Sequence, residues 1–315
     1  MILTTSSMLQ VVLSATTILL VVITGWKAVD IFREWDEADQ EERYALEKNS
    51  YLTMTAVVIA LGIRLFMVPL FFWTMQGFVP SIPGAMCLWG VFNAIPSLAW
   101  GDLLTKIVLP VLYVGWLLMV LLNSRSGTNS AMRGLMAFFL LISPLAVVDS
   151  ALDISIMLGI KPVEVSCCSN AIDVGPRPLP AAIGDVSGQT ILLVAFLASS
   201  LVFIAILRVS RKSRIWLAAS LVTSIVLAIG FTLTLTEVLT PWLLDLPFHH
   251  CPFCLLFLHP LSILFTTLFW VGISAPWLVT MASVFGRYSA LSGIEREFSG
   301  KLIWLSCVRW RQRSS

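Results

Sequence analysis

Seven stretches of this chain are long and apolar enough to cross a bilayer: residues 7–26, 52–75, 103–122, 134–159, 188–207, 215–238 and 253–284. A helix needs about 20 apolar residues to span the hydrocarbon core. Lipid offers no hydrogen-bond partners, so each segment must satisfy its own backbone, and a helix does so. Composition agrees: 58% of residues are hydrophobic and 12% charged, against about 25% charged in soluble domains. The expected fold is all-α, a polytopic membrane protein with one seven-helix transmembrane bundle across residues 1–315. No Lys or Arg precedes the first apolar run, MILTTSSMLQVVLSATTILLVVITGW. It is therefore expected to be a retained span and not a cleaved signal.

Basic residues give the orientation. Sixteen of the twenty Lys and Arg fall on one set of connections and the tail; Lys161 and Arg177 lie on the other side, and Arg64 and Lys106 within spans. The N-terminus is expected outside and the C-terminus in the cytoplasm of a plasma or inner membrane. Residues 27–50 read as a charged, helical cytoplasmic connector whose Ile31, Trp35 and Tyr44 would rest on the membrane. Residues 286–315 mix Trp304 and Trp310 with Arg309, Arg311 and Arg313, which suits an amphipathic tail on anionic lipid.

Five of the six cysteines fall on outward connections: Cys87, the adjacent Cys167 and Cys168, and Cys251 with Cys254. Stapling by disulfides is one reading, because an exterior compartment oxidises thiols. Five is odd, however, and one thiol is left over. A second reading starts from His249-His250-Cys251-Pro252-Phe253-Cys254, where a span begins. Pro252 suits a first helical turn. Cys251 would cap it, where unpaired backbone N–H groups favour the thiolate. Cys251 is then the reactive thiol and Cys254 the resolving one, with His250 tuning the thiolate and His259 handling protons.

This layout resembles membrane thiol oxidoreductases of the vitamin K epoxide reductase and DsbB kind. Those carry a C-x-x-C at the outer end of a span beside a quinone, with further loop cysteines. The resemblance rests on CPFC at 251–254, with Cys167 and Cys168, or Cys87, as loop partners. It implies thiol–disulfide electron transfer, a quinone, and an extracytoplasmic thioredoxin-like or cytochrome partner. Seven spans exceed those families' four or five, and the adjacent Cys167–Cys168 pair differs from their spaced loop cysteines. The loop 76–101 carries three prolines and no charge. It is expected to lie flat or re-enter the membrane, with Trp89 and Phe92 lining a quinone pocket or anchoring the loop.

Other chemistries stay open. His249, His250, Cys251 and Cys254 form a mixed N/S donor set for copper or zinc. His259 would serve as an axial ligand to a b-type haem. A non-catalytic anchor subunit within a respiratory membrane complex is a further reading. No basic patch interleaved with aromatics points to nucleic acid. No phosphate loop, Ser–His–Asp array or HExxH supports hydrolysis.

Ionisable residues inside spans are functional candidates by default. Arg64 and Asp149 lie at comparable depth and are expected to pair. Asp149 and Asp153, four apart, share one helix face. Asp102 and Lys106 have the spacing of a helical ion pair. Asp153, Glu237, Lys106 and His259 are expected in the outer half, where a proton or cation path would begin.

Overall fold

The computed structural model describes residues 4–35, 40–126, 131–165, 186–209, 213–246 and 249–288. Among them every regular element is helical, and seven helices are long and apolar enough to cross a membrane. The protein is a multi-pass membrane protein. Cys167, Cys168, Cys307 and the tail fall outside the described residues, as does most of the 286–315 segment.

In order, the helices are α1 (Thr5–Glu34), α2 (Gln40–Gly77), α3 (Leu88–Ala94), α4 (Pro96–Ser126), α5 (Met132–Gly159), α6 (Val186–Val209), α7 (Arg214–Thr234), α8 (Thr240–Leu244), α9 (Pro252–Leu258) and α10 (Pro260–Tyr288). A π-helical turn, Leu235–Leu239, joins α7 to α8. The chain divides into two compact units, Met1–Val165 with Met281–Glu295, and Ser166–Thr280 with Arg296–Ser315.

In the first unit α1 packs along α5 and α2, and α5 also packs on α4. Thr4 starts α1 with a reciprocal cap: its Oγ1 accepts from the Ser7 N–H at 3.2 Å, and its own N–H donates to Ser7 Oγ at 2.9 Å. The buried face of α1 reads Ser7, Gln10, Ser14, Thr17, Val21, Thr24, Ala28, Ile31. The steps alternate three and four, a 3.5-residue repeat that keeps one seam on its neighbours. That seam is mostly small or polar, with Val21, Ala28 and Ile31 toward its C-terminal half, whereas Val12, Leu19, Val22 and Trp26 on the other faces are exposed. The arrangement inverts a soluble helix. Lipid solvates apolar side chains, so small residues are used where backbones approach closely and hydroxyls bond across or back along the helix. Thr17 and Thr24 donate to the carbonyls of Leu13 and Leu20.

One sequence expectation changes here. Ile31 and Trp35 continue the α1 seam and are buried in the core with Met54, Trp116 and Met132, and do not lie on the membrane surface; Tyr44 is exposed. The connector 27–50 is largely helical among its described residues, α1 running to Glu34 and α2 starting at Gln40.

The 76–101 segment is structured. It contains a 3₁₀ turn, Val79–Ser81, then α3, and α4 begins at Pro96. Its Phe78 and Phe92 are buried. Gly84 has φ +83°, and a Cβ there would stand 2.2 Å from the Val165 carbonyl oxygen. The Val165 N–H donates to the Pro83 carbonyl at 3.0 Å. Only glycine permits that close approach together with that backbone.

In the second unit α6 pairs with α7. Phe231 and Phe269 stack with centroids 4.0 Å apart, and Phe196 and Phe265 close around them. The last apolar stretch is broken: α9 ends at Leu258, His259 takes an extended conformation, and α10 begins at Pro260. A proline disfavours helical backbone in the residue before it.

Candidate functional site

The first unit holds a cluster of charge built by three membrane helices: Arg64 from α2, Asp102 and Lys106 from α4, and Asp149 and Asp153 from α5. All five side chains are at most 3% exposed. Arg64 Nε donates to Asp149 Oδ2 at 2.9 Å, its Nη2 to the same oxygen, and its Nη1 to Asp153 Oδ2 at 2.7 Å. Lys106 Nζ lies 2.7 Å from Asp102 Oδ1, 2.7 Å from Asp149 Oδ1 and 2.9 Å from Asp153 Oδ1. Lys106 donates to Asp102 and Asp149 and forms an ion pair with Asp153.

Neutral groups complete the shell. Thr105 Oγ1 donates to Asp149 Oδ1 at 2.6 Å and Tyr113 Oη to Asp149 Oδ2 at 3.2 Å. From α1, Gln10 Nε2 donates to Asp153 Oδ1 at 3.1 Å and Ser14 Oγ to Asp153 Oδ2 at 3.3 Å. The expected Arg64–Asp149 and Asp102–Lys106 pairs are therefore both present, and Lys106 fuses them into one network. Gln10, Ser14, Thr105 and Tyr113 were not anticipated. The signal for the first two was their place on the 3.5-residue polar seam of α1.

Lys106 Nζ also sits 5.0 Å from the centroid of the Phe71 ring, a cation–π distance. Phe71 stacks on Phe92, which meets Trp100, and Trp100 is T-shaped against Trp89 at 4.9 Å. Trp89 and Phe92, expected in a quinone pocket or an anchoring belt, thus belong to an aromatic group next to the charge cluster. Cys87 caps α3 in the same unit and is buried.

No family model, curated protein or solved structure matches this chain. The functional reading therefore rests on residues and geometry.

The second unit carries the Cys-His segment. Cys251 is the N-cap of α9 with Pro252 at the first helical position, as the sequence implied. The Cys254 N–H donates to the Cys251 carbonyl at 3.1 Å, which places the two cysteines one turn apart. Cys87, Cys251 and Cys254 are thiols in this structure. His249, His250 and Cys251 are buried and His259 is exposed.

His250 has a defined partner set. Its Nδ1 lies 3.3 Å from the Thr236 carbonyl and 3.4 Å from Glu237 Oε2. A carbonyl only accepts, so Nδ1 carries the hydrogen and, in the neutral ring, Nε2 is left as the lone pair. Nε2 is buried with no hydrogen-bond partner, as are His249 Nδ1 and Glu237 Oε1. Glu237 and Thr236 lie within the π-helical turn, where Thr240 Oγ1 also donates to the Leu235 carbonyl at 2.6 Å. Such turns are rare and occur often at functional sites. Nothing in the apolar pattern of residues 215–238 marks this one.

Proposed function

We propose that this multi-pass membrane protein performs thiol–disulfide electron transfer on the outer face of the plasma or inner membrane, with Cys251 and Cys254 as the redox pair. The observation that carries the reading is the turn itself: two thiols one turn apart, the first at the N-cap position of α9 and directly followed by proline. The positive end of a helix dipole at its start favours a thiolate there. Oxidation joins the two sulfurs and releases two electrons and two protons, which a quinone accepts to become a quinol. The outward thiols Cys87, Cys167 and Cys168 are the proposed exchange partners, on the basis of the Lys and Arg distribution. An extracytoplasmic thioredoxin-like protein or cytochrome is the proposed external partner.

The reading is tested by trapping thiols with a mass-tagged maleimide in purified protein, before and after incubation with quinone. A mass shift of two tags confined to the peptide bearing Cys251 and Cys254, reversed by reductant, is expected. Thiols that stay fully reduced throughout would sink it.

A specific observation favours a second reading, copper or zinc held by His249, His250, Cys251 and Cys254. His250 has one ring nitrogen oriented by a carbonyl and a carboxylate and the other buried without a partner. Outer partners of that kind orient metal-binding imidazoles. Stoichiometric metal in elemental analysis, lost on Cys251→Ser, would decide for it.

A further inference from the structure

We propose that the charge cluster of the first unit is a proton-binding site, holding one exchangeable proton on the carboxyl of Asp102. The proposal stands apart from the thiol reading, since it uses residues of α1, α2, α4 and α5 only.

The argument begins with charge. Three carboxylates face one guanidinium and one ammonium. Fully ionised, the cluster carries a net charge of −1 on side chains at most 3% exposed; with one proton added it is neutral. A buried unbalanced charge in a membrane span is expensive, and such groups neutralise. A metal cation at the centre of the three carboxylates is disfavoured, because the Lys106 ammonium already stands there with 2.7, 2.7 and 2.9 Å contacts. The balancing species is then a proton.

The hydrogen bonds say which carboxyl takes it. Asp149 receives Arg64 twice, Lys106, Thr105 and Tyr113. Asp153 receives Arg64, Lys106, Gln10 and Ser14. Both of their oxygens are satisfied as anions. Asp102 has Lys106 on Oδ1 at 2.7 Å, and Thr105 Oγ1 at 3.2 Å from the same oxygen. The single Thr105 hydrogen has nearer acceptors, at 2.6 Å on Asp149 and 2.7 Å on the Asp102 carbonyl. Asp102 Oδ2 is fully buried with no partner. An anionic oxygen in that state is costly; a neutral O–H there is far less so.

A second, independent sign comes from α1. Gln10 is 0% exposed and reaches into the cluster through Nε2, yet its Oε1 is buried with no donor. The cluster thus carries two unmet oxygens, one of them from a residue that is not acidic. It is short of hydrogen-bond donors. The charged groups facing Asp102 are Lys106 on its own helix and Asp149 and Asp153 on α5.

Infrared spectroscopy of the full chain in lipid vesicles tests this. Wild type is expected to show the carbonyl stretch of a protonated carboxylic acid at neutral pH. That band should move on ¹³C-aspartate labelling and vanish reversibly as pH rises, while helicity is kept. Asp102→Asn should abolish it. Asp102→Glu should keep an acid band that no longer moves with the aspartate label. No labelled acid band in wild type at any pH would overturn the proposal. A band that survives Asp102→Asn, or still moves with the label in Asp102→Glu, would place the proton on Asp149 or Asp153 and overturn it equally.

Discussion

Arg64 is the residue on which the membrane-buried network of the first unit turns. It binds both α5 carboxylates while itself fully buried. Removing one partner of a buried ion pair leaves the others uncompensated, which costs about 3–5 kcal/mol. Arg64→Leu is therefore expected to lower the unfolding temperature in detergent sharply, and a thermal melt checks it. Gly84 is a second sensitive position. Gly84→Ala costs about 1–2 kcal/mol through its left-handed backbone alone, and its 2.2 Å approach to the Val165 carbonyl adds to that. Restoring stability by mutating side chains around Gly84 should fail, because the obstacle is main chain. At this scale the sequence was informative about ions and silent about neutral partners. Four-residue spacing and matched depth revealed Asp102–Lys106 and Arg64–Asp149. Neither could reveal that Lys106 reaches across to α5, since that depends on how α4 and α5 meet.

Among elements, α1 makes the clearest prediction. Its seam residues Ser14 and Thr17 are fully buried and Val12 is exposed. Thr17→Leu inserts volume where helices touch and should destabilise by about 1–3 kcal/mol. Val12→Leu, facing outward, should stay within about 0.5 kcal/mol. Chemical denaturation of the two variants side by side would separate them. The seam was hard to read beforehand because hydropathy treats Ser, Thr and Gln as interruptions, whereas in lipid they mark the contact face. The π-helical turn at Leu235–Leu239 was invisible for another reason: it changes the winding of the helix and leaves its apolar content unchanged. The break at His259 was half legible, since Pro260 signals it but does not distinguish a kink from a new helix.

For the whole molecule, the seven spans were legible because length and apolarity alone decide them. Side of the membrane is a separate matter, proposed from the basic residues, and α5 offers a direct test. Its 28 residues extend about 42 Å at 1.5 Å per residue, more than the hydrocarbon core of about 30 Å. Arg133 lies near its start, and Lys161 follows its end. Lys161→Cys should react with an impermeant maleimide on intact cells, and Arg133→Cys only after permeabilisation. Peptide mass spectrometry would locate each adduct.

The network also bears on how such a chain is made. Arg64 and Asp149 are 85 positions apart, so ribosomal synthesis delivers a lone cation to the lipid well before its counter-ions emerge. Each such guest costs about 2.5–3.5 kcal/mol at mid-membrane on the insertion scale. A nascent chain truncated ahead of α5 should therefore be extracted and degraded quickly. Supplying α5 as a separate polypeptide should prolong its lifetime, and pulse-chase labelling would register the difference.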